Sequence, residues 1–224
     1  VSADSRYAFV TPEGAGVVGV FNLDSAYVGA VPIGPGALGI AASPNGRWLY
    51  EVSESAGAGP SRRRGALNVI DAAGAVRAPR AAVVATAPVP CAAVRVAVAP
   101  DGATVWVTAR DGNSLLGFSA AALRKDPSNA LLSATRVGPA PLGVAVANRG
   151  RTVLVADSNL SRSAGGHAGA SVVDTTSVSS PSVAGWIATG KLADAISAPP
   201  SSPVAFVTAS GARAVTMLPT QQLR

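Results

Sequence analysis

The chain has 224 residues and a formal net charge of +6, with 48% hydrophobic, 13% charged and 4% aromatic residues. The apolar content is too high for a disordered chain, and the length suffices for one all-β domain with a substantial core. The single cysteine excludes an intramolecular disulfide. An uncharged stretch, residues 25–46, is interrupted by prolines and glycines, so no transmembrane segment is predicted.

The first predicted elements are two short strands in residues 1–24, which we assign as half of a sheet module. Four longer modules of four strands each are predicted to follow. They span residues 28–71, 82–119, 133–174 and 184–218. The total is eighteen strands. The only predicted helix lies in residues 119–127, and none is predicted between Ile40 and Val107.

Residues 94–119 show the module most clearly. Valines alternate with other residues at its start, as one face of a strand requires. Turns at Pro100–Asp101–Gly102 and Asp111–Gly112–Asn113 flank the next strand. Trp106 in that strand has an equivalent about every 40 to 56 residues along the chain. The equivalent residues are Phe9, Tyr50, Leu154 and Phe206.

A repeat of this length with four short strands is typical of a β-propeller blade. The sequence therefore predicts an all-β propeller of four-stranded antiparallel blades, with about four and a half to five blades. Such a number is compatible with a small closed ring or with an open arc of a larger propeller. We favour the arc.

The turn segments resemble a known family. Residues 43–50, 99–102 and 138–145 are similar to the YVTN-type repeat of bacterial β-propellers, a group that includes lactonase-like propellers. The resemblance implies a bacterial, exported protein that is periplasmic or extracellular. Two positions depart from the repeat: Glu51 replaces an apolar residue, and residues 199–202 lack the Asp–Gly turn.

Charged residues that interrupt a repeated column mark the predicted ligand site. Arg95 replaces a residue that is glycine or alanine in three other blades, Asp194 replaces a leucine or valine, and Glu51 replaces a valine. Structural requirements recur from blade to blade, so a charge that occurs once indicates either an exposed edge or a site. Arg136 is placed in an innermost strand. The innermost strands of a propeller line its central channel, and we predict a ligand site at the mouth of that channel. The predicted ligand-binding residues there are Arg95, Asp194, Arg136, Glu51 and Asp157.

Other motifs have simpler structural explanations. Residues 14–19 and 34–39 both match G-x-G-x-x-G but precede strands, so no nucleotide or other cofactor is predicted. His167 and Cys91 are each the only residue of their kind, so neither a metal site nor a catalytic triad is predicted. Arg62–Arg63–Arg64 has no interleaved aromatic residue, so no specific nucleic acid partner is predicted.

These features favour a non-catalytic propeller that binds a small molecule or a protein at the channel mouth. The alternative, which the resemblance implies, is a lactone hydrolase. Arg95 would then hold the oxyanion or a carboxylate, and Asp194 or Asp157 would act as the general base. A third hypothesis is a polyanion binder that uses the arginine run at residues 62–64.

Overall fold

The computed structural model describes residues 1–24, 26–54, 64–90, 92–160, 167–199 and 202–220, and for Arg64 the backbone only. Within these residues the chain forms eighteen β-strands in five antiparallel sheets. This arrangement confirms the predicted all-β fold built from repeated antiparallel sheets.

Consecutive strands pair within each sheet. The first sheet contains β1 (Tyr7–Val10), β2 (Val17–Asn22) and β3 (Ala26–Pro32). The second contains β4 (Ala37–Ala42), β5 (Trp48–Ser53), β6 (Arg64–Asp71) and β7 (Val83–Pro90). The third contains β8 (Ala93–Val98), β9 (Thr104–Ala109), β10 (Ser114–Ser119) and β11 (Leu131–Arg136). The fourth contains β12 (Pro141–Ala147), β13 (Thr152–Asp157), β14 (Gly169–Asp174) and β15 (Ser182–Ala188). The fifth contains β16 (Ala193–Ser197), β17 (Val204–Ala209) and β18 (Ala214–Pro219).

The predicted module boundaries are displaced by one strand. The strand that was expected to begin each module is the last strand of the preceding sheet. For example, β3 pairs with β2, with Val31 of β3 opposite Val18 of β2. Apolar alternation locates a strand but does not specify its hydrogen-bonding partner. The long segments after Ser53 and Asp157 join the second and third strands of their sheets.

Asparagine and aspartate side chains shape the turns between the first two strands of the second and third sheets. Asn45 accepts a hydrogen bond from the Arg47 N–H at 3.1 Å, and Asp101 accepts one from the Ala103 N–H at 2.9 Å. Gly102 has a φ of 71°, where an L side chain would be strained. The Asp–Gly pair therefore fixes the chain reversal that the sequence predicts.

Two helices connect third strands to fourth strands. The helix α1 (Ala72–Arg77) follows β6, and α2 (Ala120–Lys125) follows β10. Their N-termini are capped by Asp71, which accepts from the Gly74 N–H at 2.6 Å, and by Ser119. The second helix was predicted. No helix was predicted between Ile40 and Val107, and α1 shows that this prediction was wrong. The helix is only a connection between two strands, so it leaves the sheet order unchanged.

The first strands of four sheets, β4, β8, β12 and β16, contact one another in sequence and are therefore the innermost strands. Two glycines permit this close approach. A Cβ on Gly39 would lie 2.9 Å from the Arg95 Cα, and one on Gly143 would lie 3.0 Å from the Ala195 Cα. The backbones of neighbouring innermost strands would have to separate to accept a side chain at either glycine.

The core lies in the seams, which we define as the contacts between neighbouring sheets, numbered one to four along the chain. The second seam, for example, buries Tyr50, Val52 and Leu67 against Val105 and Val107. The sheets at the two ends leave one face uncovered, with Val10 44% exposed on the first and Met217 67% exposed on the fifth. The five sheets thus form an open arc.

We predict that Gly143→Ala destabilises the protein by about 1 to 3 kcal/mol, because the added methyl group meets backbone atoms of β16 that cannot rotate away. The measurement is the denaturant midpoint of unfolding. Gly185→Ala is the matched control, since a Cβ there would meet nothing within 4 Å. Equal midpoints for the two variants would show that the innermost strands are not tightly packed.

Candidate functional site

Arg95 and Asp194 lie on innermost strands, near the ends at which those strands begin. Arg95 on β8 is exposed, and its guanidinium donates to the neighbouring Val94 carbonyl at 3.0 Å. Asp194 on β16 is partly exposed and accepts from the Ser210 N–H at 3.0 Å. The strand β12 lies between them, and no hydrogen bond or ion pair joins the two side chains in the described structure.

Asp194 instead shares a hollow with Arg213. This hollow, of about 240 Å³, is formed by the start of β16 and the turn between β17 and β18. Arg213 has a φ of 53°, in the left-handed region that an arginine seldom adopts. A carboxylate and a guanidinium therefore line one solvent-accessible depression, which the sequence did not predict.

Arg136 does not lie in an innermost strand. It is the last residue of β11, the outermost strand of the third sheet, and it is exposed. The prediction was wrong because the strand containing Arg136 was paired with the following module. A residue on an outermost strand lies far from the innermost strands, so Arg136 is not part of a site formed by those strands.

Glu51 is completely buried in the first seam, where donors surround its carboxylate. Asn68 donates to Oε2 at 2.7 Å and Ser53 to Oε1 at 3.0 Å, while Thr86 donates to the Asn68 carbonyl oxygen at 2.7 Å. Burial raises the pKa of Glu51 to about 7, although the hydrogen bonds from Asn68, Ser53 and the Leu38 N–H act in the opposite direction. This geometry anchors a seam and offers no access to a ligand.

Asp157 occupies a similar position in the third seam. Ser171 donates to Oδ2 at 2.6 Å, and Oδ1 is buried with no hydrogen-bond partner in the described structure. Burial raises the pKa of Asp157 to about 7, against the hydrogen bonds from Ser171 and the Gly138 N–H. A Cβ on Gly138 would collide with Oδ2, so only glycine leaves room for this carboxyl group.

The seams alternate in chemistry along the arc. In the first and third seams, a threonine of one sheet donates to a leucine carbonyl on the next innermost strand: Thr11 to Leu38 at 3.0 Å and Thr108 to Leu142 at 2.7 Å. The buried carboxyl groups also belong to these two seams. In the second and fourth seams, apolar side chains pack together and an innermost glycine allows close approach. A pair of sheets is therefore the repeating structural unit.

An axial groove of about 630 Å³ lies at the opposite ends of the innermost strands. Its walls come from the ends of β8, β12 and β16, and its rim from the turns that follow them. The lining includes Ala97, Val98, Val144, Val146, Ile196, Asn148 and Arg149. The described lining contains no carboxyl, imidazole or thiol group. This surface is predominantly apolar, as is typical of small-molecule sites.

Arg149 supplies the positive charge at this groove. It is exposed, has a φ of 57°, and forms no ion pair within the described part of the chain. The adjacent Asn148 donates to the Thr152 hydroxyl and the Thr220 carbonyl, both at 3.0 Å, which fixes the turn. The sequence carried a signal for Arg149, because it stands where the turns of three other blades have aspartate or asparagine.

The remaining motifs contribute little to either site. His167 is exposed, with its ring centre 6.4 Å from that of Trp186 on the outermost strand β15. Cys91, Arg62 and Arg63 lie outside the described residues. Among those described, no group of three potential metal-ligating side chains occurs. None of the described helices is long and apolar enough to cross a membrane.

Comparison with known proteins identifies the fold. The sequence matches no protein-family model, and no curated protein matches it. Among solved structures, a functionally unknown protein from Desulfotomaculum acetoxidans aligns with a TM-score of 0.72 at 12% identity, over 97% of this chain and 67% of that one. The β-propeller domain of Cps50 (Swd1) from Myceliophteria thermophila aligns with a TM-score of 0.69 at 13% identity, over 96% and 66%.

A candidate 6-phosphogluconolactonase from Bacteroides uniformis also aligns, with a TM-score of 0.71 at 11% identity, over 97% of this chain and 64% of that one. This chain therefore spans about two thirds of the length of these structures. At such low identity the similarity shows the fold alone: the chain is a β-propeller. The finer resemblance to the YVTN repeat has no support from a family model.

We predict that stability falls as the pH rises from about 4 to about 7 and is constant above. Glu51 and Asp157 have folded-state pKa values near 7, above their ordinary values of 4.5 and 3.8, so the folded chain binds protons more tightly than the unfolded chain in this window. The expected loss between pH 5 and pH 8 is on the order of 2 to 3 kcal/mol for each group.

The measurement is the unfolding free energy from urea titrations at pH 5 and pH 8. Glu51→Gln and Asp157→Asn should each reduce the difference, because an amide cannot ionise. If both variants retain the full pH dependence of the wild type, the two carboxyl groups are not its source.

Proposed function

We propose that this protein is a non-catalytic binding propeller that takes small amphipathic anions in the axial groove. The observation that carries the proposal is the composition of the groove, in which apolar side chains from three consecutive innermost strands surround one guanidinium that forms no ion pair with any described residue. An apolar ligand body would replace water on the Val144 and Ile196 surfaces, and its anionic end would bind Arg149.

The positions of the predicted charged residues also support binding rather than acid–base chemistry in the groove. Glu51 and Asp157 are buried in seams, and Arg95 and Asp194 lie toward the other end of the innermost strands. Among the described lining residues, a ligand in the groove would therefore meet no side chain that could act as a general acid or base. The exported location implied by the YVTN resemblance remains part of this proposal.

We predict that octanoate binds and that Arg149→Asn weakens its affinity about fivefold, which corresponds to about 1 kcal/mol for one solvent-accessible charge-assisted contact. Asparagine tolerates the left-handed backbone at this position. The measurement is isothermal titration calorimetry. Arg151→Asn, in the same turn but outside the groove lining, is the matched control and should bind octanoate like the wild type.

Neutral octanol separates the two contributions. Its affinity should be insensitive to Arg149→Asn, because only the apolar walls would hold it. Absence of octanoate binding to the wild-type protein, or equal losses in the Arg149 and Arg151 variants, would contradict an anion site in the groove.

A lactone hydrolase is the second candidate function, favoured by the hollow in which Asp194 and Arg213 occur together. In such a reaction Asp194 would activate water and Arg213 would stabilise the oxyanion, a role that the sequence had suggested for Arg95. The propeller from Bacteroides uniformis, described as a candidate 6-phosphogluconolactonase, shares the fold.

For this alternative we predict gluconolactone hydrolysis that is lost in Asp194→Ala and in Arg213→Ala, measured as acid release in a pH-stat. Arg95→Ala is the control and should retain activity, because Arg95 does not line the hollow. A wild-type rate equal to that of buffer alone would eliminate the hydrolase hypothesis and leave the binding hypothesis unaffected.

A further inference from the structure

The outer face of the fifth sheet has the composition of a seam but is uncovered. Phe206 is 39%, Val215 63% and Met217 67% exposed. In the third sheet, the equivalents of Phe206 and Val215 are Trp106 and Leu115, which are 1% and 0% exposed because the fourth sheet covers them. The exposed residues on the fifth sheet therefore continue columns that are buried inside the arc.

Thr208 lies on the same face, at a position where two other sheets have a threonine that bonds to the neighbouring sheet. Thr11 and Thr108 occupy the corresponding positions in the first and third sheets, and each donates to a leucine carbonyl on the next innermost strand. Thr208 makes the same contacts with its own sheet as Thr108: its hydroxyl accepts from the Ala195 N–H at 3.2 Å and lies 3.5 Å from the Ala195 carbonyl. Within the described residues it lacks only the second acceptor, the leucine carbonyl on a next innermost strand. A strand placed against this face would offer Thr208 the better acceptor that the other two threonines have.

The alternation of seams specifies the kind of sheet that fits. The fifth sheet carries Ala195 where the second has Gly39 and the fourth has Gly143, and a Cβ at those glycines collides with the next innermost strand. The third sheet carries Arg95 at this position together with Thr108, and the fourth sheet packs against it. The fifth sheet therefore resembles the third and should accept a sheet like the fourth.

A second copy of the chain does not meet this requirement. Its free face would be that of the first sheet, in which the described strands are β1, β2 and β3, and β1 is equivalent to the second strands of other sheets, not to an innermost strand. The carbonyl that Thr208 needs would be missing. We propose that the outer face of the fifth sheet is the docking surface for a further propeller blade of the fourth-sheet type, that is, one that packs as the fourth sheet packs on the third. Apolar side chains and a hydrogen bond from Thr208 to the innermost strand of that blade would hold it.

The test extends the full described fold with one of its own blades. Residues 1–219 are followed directly by a second copy of residues 120–188, which supplies α2 and β11 to complete the fifth sheet and then a complete fourth-type sheet. The matched control appends residues 72–136, which end in a sheet of the third type. That sheet normally packs against Gly39, so Ala195 should exclude it.

The readout is the oxidation of Met217 by hydrogen peroxide, followed by mass spectrometry, since Met217 is the only methionine in the chain. Oxidation should be at least about tenfold slower in the extended chain than in the parent, and nearly unchanged in the control. Thr208→Val should lower the thermal midpoint of the extended chain more than that of the parent, because in the parent it removes only the bond to the Ala195 N–H.

Three results would overturn the proposal. The first is Met217 oxidation at the parental rate in the extended chain, including the case in which circular dichroism shows that this chain fails to fold. The second is equal protection in the extended chain and the control. The third is a dimeric parent chain, by light scattering, with Met217 already protected, which would make a second copy the occupant.

Discussion

The close approach of neighbouring innermost strands is the constraint on which the arc depends. A strand without side chains at Gly39 or Gly143 allows the backbone of the next strand to lie within van der Waals distance. The separation of the inner edges sets the angle between adjacent sheets, and that angle decides which side chains meet in each seam. The axial groove has the same origin, because its walls are the ends of these strands.

The buried carboxyl groups show how polar residues are accommodated in seams. An isolated carboxylate in an apolar environment is strongly disfavoured, so it must be neutral or surrounded by donors. Glu51 receives hydrogen bonds from an amide, a hydroxyl and a backbone N–H, whereas Asp157 has one buried oxygen without a partner. Their place in the first and third seams, together with the donor threonines, makes these two seams chemically distinct from the apolar ones.

Much of the fold could be predicted from the sequence, because the interactions that shape it are local. Alternating apolar residues located eighteen strands, and Asp101 with Gly102 located a turn whose hydrogen bond spans two residues. Pairing between strands was less accessible, since the outermost strand of one sheet and the innermost strand of the next are both short and apolar. The misplacement of Arg136 follows directly from that ambiguity.

The candidate site was harder to predict for a different reason. A column with one charged exception identified Glu51 and Asp194, but it did not reveal whether the charge faces solvent or a seam. One donor to Glu51, Asn68, lies 17 positions away on the neighbouring strand, so the environment of Glu51 depends on register. Arg149 replaces the aspartate or asparagine of other turns and was nevertheless overlooked. A turn residue lines the groove only because the fold brings the ends of three strands together, and the sequence does not show this.

The alternation of seams also bears on how the repeat arose. Threonine and carboxyl group characterise every other seam, and glycine characterises those between them, so at these positions blades two apart are alike and neighbouring blades differ. Copying of a single ancestral blade would give equal resemblance between all neighbours. At these positions the observed order is the one that copying of a unit with two unlike blades would give.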